Sequence, residues 1–514
     1  MALGLLCFSD VANCDDTRTH LREPPGVGFL LPAFRLVPIC RKHQESCVKP
    51  PFDIAADLDT PVSAYLKLKP FRPRFLLESV EGGERLARYS FIGFGDCLEV
   101  RLDTKGLRVG KRELPVPRSQ HELLDALRSA LKQAPLPTPH IPGVPLLGGL
   151  VGVAGYDLVR YFERLPSRHK TADQVPDAHY LAPQSMLVFD HLTRSMALLH
   201  AGSEAERLSL RKEVIRALRG GISATGKPMR YSEPVASLSE SEYIHGVKRA
   251  QEYIAAGDVY QLVLSSRFSG RCDLDPFETY RALRLLNPSP YMYYCDLGDH
   301  VIAGSSPEAL VRLNNHHAQL RPIAGTRPRG QDDEHDLALE QELLADPKEN
   351  AEHVMLVDLA RNDLGRVAKA GSVQVDPYRC IERYSHVMHI VSGVKGELAP
   401  DKDAFDLFAA AFPAGTLVGS PKVRAMEIID ELEPCRRGFY GGTVGYFGSN
   451  GPDLKSMTMD QAITIRTLVF SGDTYSFQAG AGIVSDSIPQ LEYQEVLAKS
   501  AILRRALSMA QEGL

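Results

Sequence analysis

Tryptophan is absent from this 514-residue chain, and its nine cysteines form no recognisable pattern. An odd cysteine total without a C-x-x-C pair favours reduced thiols in a cytoplasmic protein over a disulfide framework. No uninterrupted apolar run is long enough to span a bilayer, so no membrane segment is expected. No basic block stands out in a chain of net charge -5, so nucleic acid is not expected as a partner. Neither G-x-G-x-x-G nor a P-loop is present, which removes the usual nucleotide signatures. No cysteine sits in a G-x-C-x-G elbow, so the chain carries no amidotransferase nucleophile of that kind.

What is present is the balance of a globular protein, 44% hydrophobic and 24% charged, long enough for two or three domains. Residues 1–50 lack periodicity and read as a disordered extension. From Phe52 to Arg219 the pattern is that of an α+β unit. It has strands at Phe75–Ser79 and Tyr89–Gly93, a turn at Glu81-Gly82-Gly83 and a helix at His121–Leu131. Gly220–Ser239 reads as a linker, and Ser241–Ala256 as a helix. Strands and helices then alternate to the C-terminus.

Two predicted helices share one device. Asp346 is placed to cap a helix that opens on Pro347, with Glu349 and Glu352 on one face. Pro489 opens a second helix on which Glu492 and Glu495 share a face. Four carboxylates on two helices suit a hard divalent cation such as Mg²⁺, which takes oxygen ligands and keeps several waters. Taken singly they read more plainly. Asp346 with Glu349 makes a capping box, and Glu495 with Lys499 an i,i+4 ion pair.

Other segments gather reactive residue types. Gly325 and Thr326 lie in a turn-like run, where a glycine admits close approach of a ligand. His389 falls on a strand beside Val387 and Val391, where a satisfied core histidine is the plainer reading. Thr416 sits in a Gly- and Ser-rich loop before a helix, a setting that favours anions. Arg466 is read on a strand from Ala462 to Thr467, partly buried and in need of an anionic partner. Gly480, Ala481 and Gly482 form a glycine-rich strand.

These segments, with LLESVEGGERLARYSFIG, NPSPYMYY, RPIAGTRPRG, DPKENAEHVMLVDLARNDLGRV and QAGAGIVSDS, occur in the order found in one family. From about residue 60 to 510 the chain resembles the chorismate-utilising enzymes, most closely the large subunits of anthranilate synthases. The resemblance implies an α+β fold of packed antiparallel sheets with outer helices, a regulatory region at 51–225 and a chorismate-binding catalytic domain at 235–514. It implies formation of anthranilate and pyruvate from chorismate, with Mg²⁺ and with ammonia from a glutamine amidotransferase subunit (component II) in a heterotetramer. Glu352 and Glu495 match direct Mg²⁺ ligands, and Glu349 and Glu492 the carboxylates acting through water or as acid/base groups. Gly325, Thr326, Tyr446, Arg466, Gly480, Ala481, Gly482 and Lys499 match substrate-binding positions, and His389 and Thr416 active-site positions. Glu349 is the expected general acid, with His389 assisting proton removal. Ser79, Pro290, Tyr291 and Met292 match a feedback site for tryptophan, with Glu78 expected to meet the ligand's ammonium. The absence of tryptophan suits an enzyme needed when tryptophan is scarce.

Within the family, aminodeoxychorismate synthases commonly carry Lys where this chain has Ala324, and water-using relatives place Lys where it has Gln261. Aminodeoxychorismate synthesis is the alternative activity. A non-catalytic amino-acid-sensing scaffold is the alternative of another class, and it predicts lost ligands that are in fact intact.

Overall fold

The computed structural model describes residues 51–80, 88–166, 175–222, 229–384, 387–449 and 456–514. The extension read at 1–50, the turn at Glu81-Gly82-Gly83 and part of the linker lie outside the described residues.

Six elements position the site: β1 (Gln261–Arg271), β2 (Ile323–Pro328), α1 (Pro347–Gly365), β3 (Val387–Val391), β4 (Thr474–Ile483) and α2 (Pro489–Glu512). β1 and β4 pair antiparallel from Leu262 opposite Ile483 to Arg271 opposite Thr474. Opposed residues share a face. Leu264 with Ala481 and Phe268 with Phe477 therefore enter the main core, while Val263 with Gly482 and Ser265 with Gly480 look the other way. The regions at 51–225 and 235–514 are joined through one hydrogen-bonded sheet: Leu77 pairs with Tyr293, and Gly152 with Gly445.

A separate three-stranded sheet has β3 at its centre, flanked by β2 and Cys380–Arg383. Met388 and Ile390 pack on Leu343 of the Asp333–Ala345 helix. The two-residue period of the strand then turns His389 to the opposite face.

α1 starts as its sequence requires. The Asp346 carboxylate accepts the N–H groups of Lys348 (2.9 Å) and Glu349 (3.2 Å), and Pro347 fills the first position. α2 opens on Pro489 after Ile488, which offers no capping side chain. The helix expected at Ser241–Ala256 spans Glu240–Ala255 behind a Ser239/Glu242 capping box.

Two local readings are corrected. The strand read through Ala462–Thr467 ends at Ile463, and a new one starts at Thr467. The chain changes partner there, from Thr443–Ser449 to Val301–Ser306, and Arg466 takes φ 49° at the corner. The Gly- and Ser-rich loop before Lys422 does not cradle an anion with its strand-like part. Gly419 and Ser420 pair with Leu262 and Gln261.

A buried ion pair ties β1 to the loop bearing Thr416. The Arg437 and Glu433 side chains are 1% and 3% exposed and 2.7 Å apart. Arg437 also donates to Leu417 O (2.6 Å) and Val263 O (2.8 Å), while Glu433 accepts the Ser265 N–H (2.9 Å). Breaking such a pair strands one buried charge. Arg437→Met is expected to lower the unfolding free energy by about 3–5 kcal/mol in urea denaturation. The double change with Glu433→Gln is expected to lose less than the sum of the singles.

Candidate active site

The four glutamates influence one another across α1 and α2. Burial raises the Glu352 carboxyl above its ordinary range, and the charges of Glu349 and Glu495 add to the rise; a hydrogen bond from Gln261 and the charge of Lys348 oppose it. Burial also raises Glu492, with Glu495 adding and Ser487 opposing. The reciprocal capping box does not form, because Glu349 turns to Arg327 (3.4 Å). The expected Glu495–Lys499 pair does form, at 2.6 Å, and Lys499 Nζ also donates to Gly480 O (3.1 Å).

Among the described residues no three His, Cys, Asp or Glu groups converge into a ready metal cage. Two direct carboxylates with water-mediated neighbours require no such cage. A set of carboxylates on two helices, with Glu352 and Glu492 raised by burial and by neighbouring negative charge, fits a divalent cation by its donor chemistry.

Beside Glu349, Gly325 adopts φ +66°, and a Cβ there would lie 2.8 Å from Leu343 Cδ1 and 3.1 Å from Glu349 Oε2. The Gly325 carbonyl can only accept, so His389 Nδ1 carries the proton it donates at 2.9 Å. Thr326 Oγ1 lies 3.1 Å from the same nitrogen. Nε2 is left as the basic atom. Burial, with the nearby Arg466 charge, holds the imidazole below the usual histidine range, so it is neutral at pH 7.

One group escaped the sequence reading. Glu308 is half-buried, and desolvation pushes its carboxyl up to about 7 against the opposing effects of Thr416, Lys499 and Arg466. The Thr416 hydroxyl donates to Glu308 Oε1 at 3.0 Å. Glu308, Gly415 and Thr416 line a crevice of about 40 Å³. The available signal was Ser305-Ser306-Pro307-Glu308, a charge placed directly after a buried strand.

Glu308, His389, Thr326, Thr416, Arg466, Lys499 and Gly480 are thus linked by contact or by field. Arg466 is half-buried, as expected. Two expected substrate positions fall elsewhere. Ala481 sends its methyl into the core opposite Leu264, because alternation points only Gly480 and Gly482 the other way. Tyr446 lines a second cavity.

The model of the chorismate-binding enzymes matches residues 72–505. The chain belongs to the chorismate-binding enzyme family. It is 46% identical to anthranilate synthase component 1 of Thermus thermophilus over 467 residues, covering 89% of this chain and 97% of that one. It is 44% identical to that of Acinetobacter calcoaceticus over 477 residues, with 89% and 95% covered. The crystal structure of anthranilate synthase component I from Streptococcus pneumoniae superposes with TM-score 0.71 at 36% identity, over 81% of this chain and 92% of that one. The menaquinone-specific isochorismate synthase of Escherichia coli shares the fold, with TM-score 0.64 at 21% identity over 88% and 92%. The expected α+β fold of antiparallel sheets with outer helices is the fold observed.

In this chorismate-binding chain the second cavity holds about 410 Å³. Glu78, Ser79, Pro290, Tyr291 and Met292, the five residues read as an effector site, all line it. They meet because Met292 pairs with Glu78 across neighbouring strands. The Glu78 charge is already matched by Arg284 (3.0 and 3.1 Å) and by the Tyr280 hydroxyl.

Glu308 makes stability depend on pH in a definite sense. An unfolded glutamate ionises near 4.5, whereas the folded group ionises near 7. Below both values the penalty is absent; it grows as pH rises between them. Glu308→Gln is therefore expected to gain on the parent by about 3 kcal/mol at pH 8, at about 1.4 kcal/mol per pH unit. The gain should vanish below pH about 4.5, as read by urea denaturation at both values.

Proposed function

We propose that this chain is the chorismate-converting subunit of an anthranilate synthase. It forms anthranilate and pyruvate from chorismate and ammonia, in the cytoplasm and in tryptophan biosynthesis. A glutamine amidotransferase subunit supplies the ammonia, and the two assemble as a heterotetramer. The observation that carries the reading is Glu308. It is a half-buried carboxyl shifted to about 7, bonded to Thr416, and within the fields of Arg466 and Lys499. Similarity to anthranilate synthase components 1 supports the choice of reaction.

Chorismate brings two carboxylates. Arg466 pairs with one, and the backbone of Gly480 and Gly482 meets the ring. Glu352 and Glu495 would hold Mg²⁺, with Glu349 and Glu492 acting through water; the bound ion would supply the positive charge that lets the other carboxylate approach an acidic edge. Ammonia bonds to C2 as the ring double bonds shift and the C4–O bond breaks. Glu308 donates the proton with which the C4 hydroxyl leaves as water. It takes this role in place of Glu349, whose carboxylate is engaged by Arg327. His389 Nε2 then removes the C2 proton. The electron pair forms the aromatic ring, the C3–O bond breaks, and the enolpyruvate released is protonated to pyruvate.

The second cavity is the feedback site for tryptophan on this reading. Ser79, Pro290, Tyr291 and Met292 hold the ligand, and Glu78 acts by fixing Arg284. Ala324 supports amination to anthranilate over the aminodeoxychorismate outcome.

The test is product analysis by fluorescence and chromatography with chorismate, Mg²⁺ and excess ammonium. Anthranilate is expected, with turnover slowed by added tryptophan and abolished by a chelator. Glu308→Gln is expected to lower kcat by roughly 10²–10⁴-fold while the fold persists. Aminodeoxychorismate as product would refute the assignment, and an unchanged kcat in Glu308→Gln would refute the acid.

A further inference from the structure

One face of α1 carries Glu349 and Glu352 to the cleft; what fixes that helix lies on the other side. His353, next to Glu352, is fully buried, and its Nε2 lies 2.7 Å from Ser392 Oγ. Its Nδ1 has no partner among the described residues, so the contact with Ser392 is the imidazole's one hydrogen bond there. Ser392 follows directly on β3, three residues beyond His389. Its Oγ also accepts the Arg379 N–H (2.9 Å), and its own N–H donates to Pro322 O (3.2 Å). Pro322 leads into β2, the strand of Gly325 and Thr326. A single buried serine therefore touches the cation helix, the strand of the base and the entrance to the substrate turn.

An apolar contact at this place would fill the same volume but would let α1 slide or rotate. A hydroxyl–imidazole bond is directional and holds one rotation. We propose that His353 and Ser392 are positioning residues, which fix Glu352 relative to His389. The inference rests on the reading of the site given under the proposed function. Neither residue touches the reacting atoms. Their effect passes through the carboxylates, as the partners of metal ligands do when they orient those ligands.

The test uses the full chain, with Mn²⁺ as the probe ion followed by electron paramagnetic resonance. Chorismate KM, kcat and the melting temperature are measured alongside. Ser392→Ala is expected to weaken Mn²⁺ binding by about tenfold and to lower kcat. Ser392→Thr keeps the hydroxyl and is expected to restore both. His353→Gln keeps a hydrogen-bonding atom near the place of Nε2 and is expected to fall between, and it carries the comparison if Ser392→Ala does not fold. Parent-like Mn²⁺ affinity and kcat in Ser392→Ala, or in His353→Gln where that variant replaces it, would overturn the inference, whatever happens to the melting temperature. A parent chain that neither binds Mn²⁺ nor converts chorismate would overturn the underlying reading and this inference with it.

Discussion

Like-charge crowding between two helices is the constraint on which the site depends. Burial raises the Glu352 and Glu492 carboxyls; the charges of Glu349 and Glu495 add to the rise at Glu352, and that of Glu495 at Glu492. Such an arrangement is unfavourable in itself and persists only where the fold holds it. α1 is held by its Asp346 cap and by His353 on Ser392; β1 is held by Ser265 on the buried Glu433–Arg437 pair. On this account the acidic edge is strain kept ready for a cation, and the cation in turn admits an anionic substrate.

Glu308 and His389 solve the complementary problem. Arg466 and Lys499 place positive charge near Glu308, yet desolvation outweighs them and pushes that carboxyl up to about 7. His389 is driven the other way, to the neutral form, by the same burial. Desolvation thus moves the two groups in opposite directions, Glu308 up and His389 down, which is the pairing that the proposed acid and base roles call for.

Local signals made much of this legible. The Asp-Pro start and the three-residue spacing on α1 gave both its boundary and its acidic face, and the five residues read as an effector site line one cavity. What stayed hidden depends on partners distant in sequence. Period-two alternation shows that Gly480 and Ala481 point apart, but not which of them faces the core. Arg466 reads as strand because its neighbours are apolar; the left-handed turn arises from the change of strand partner, which leaves no mark in a single segment. Glu308 was missed because desolvation beside Thr416, not residue type, sets it apart.

The most direct test of the cation account is a crystal of the full chain soaked in Mn²⁺, with diffraction recorded near the manganese absorption edge. The account requires an anomalous peak between Glu352 and Glu495, bonded to both side chains. A fully occupied ion elsewhere in the chain, with these two carboxylates still apart, would contradict it.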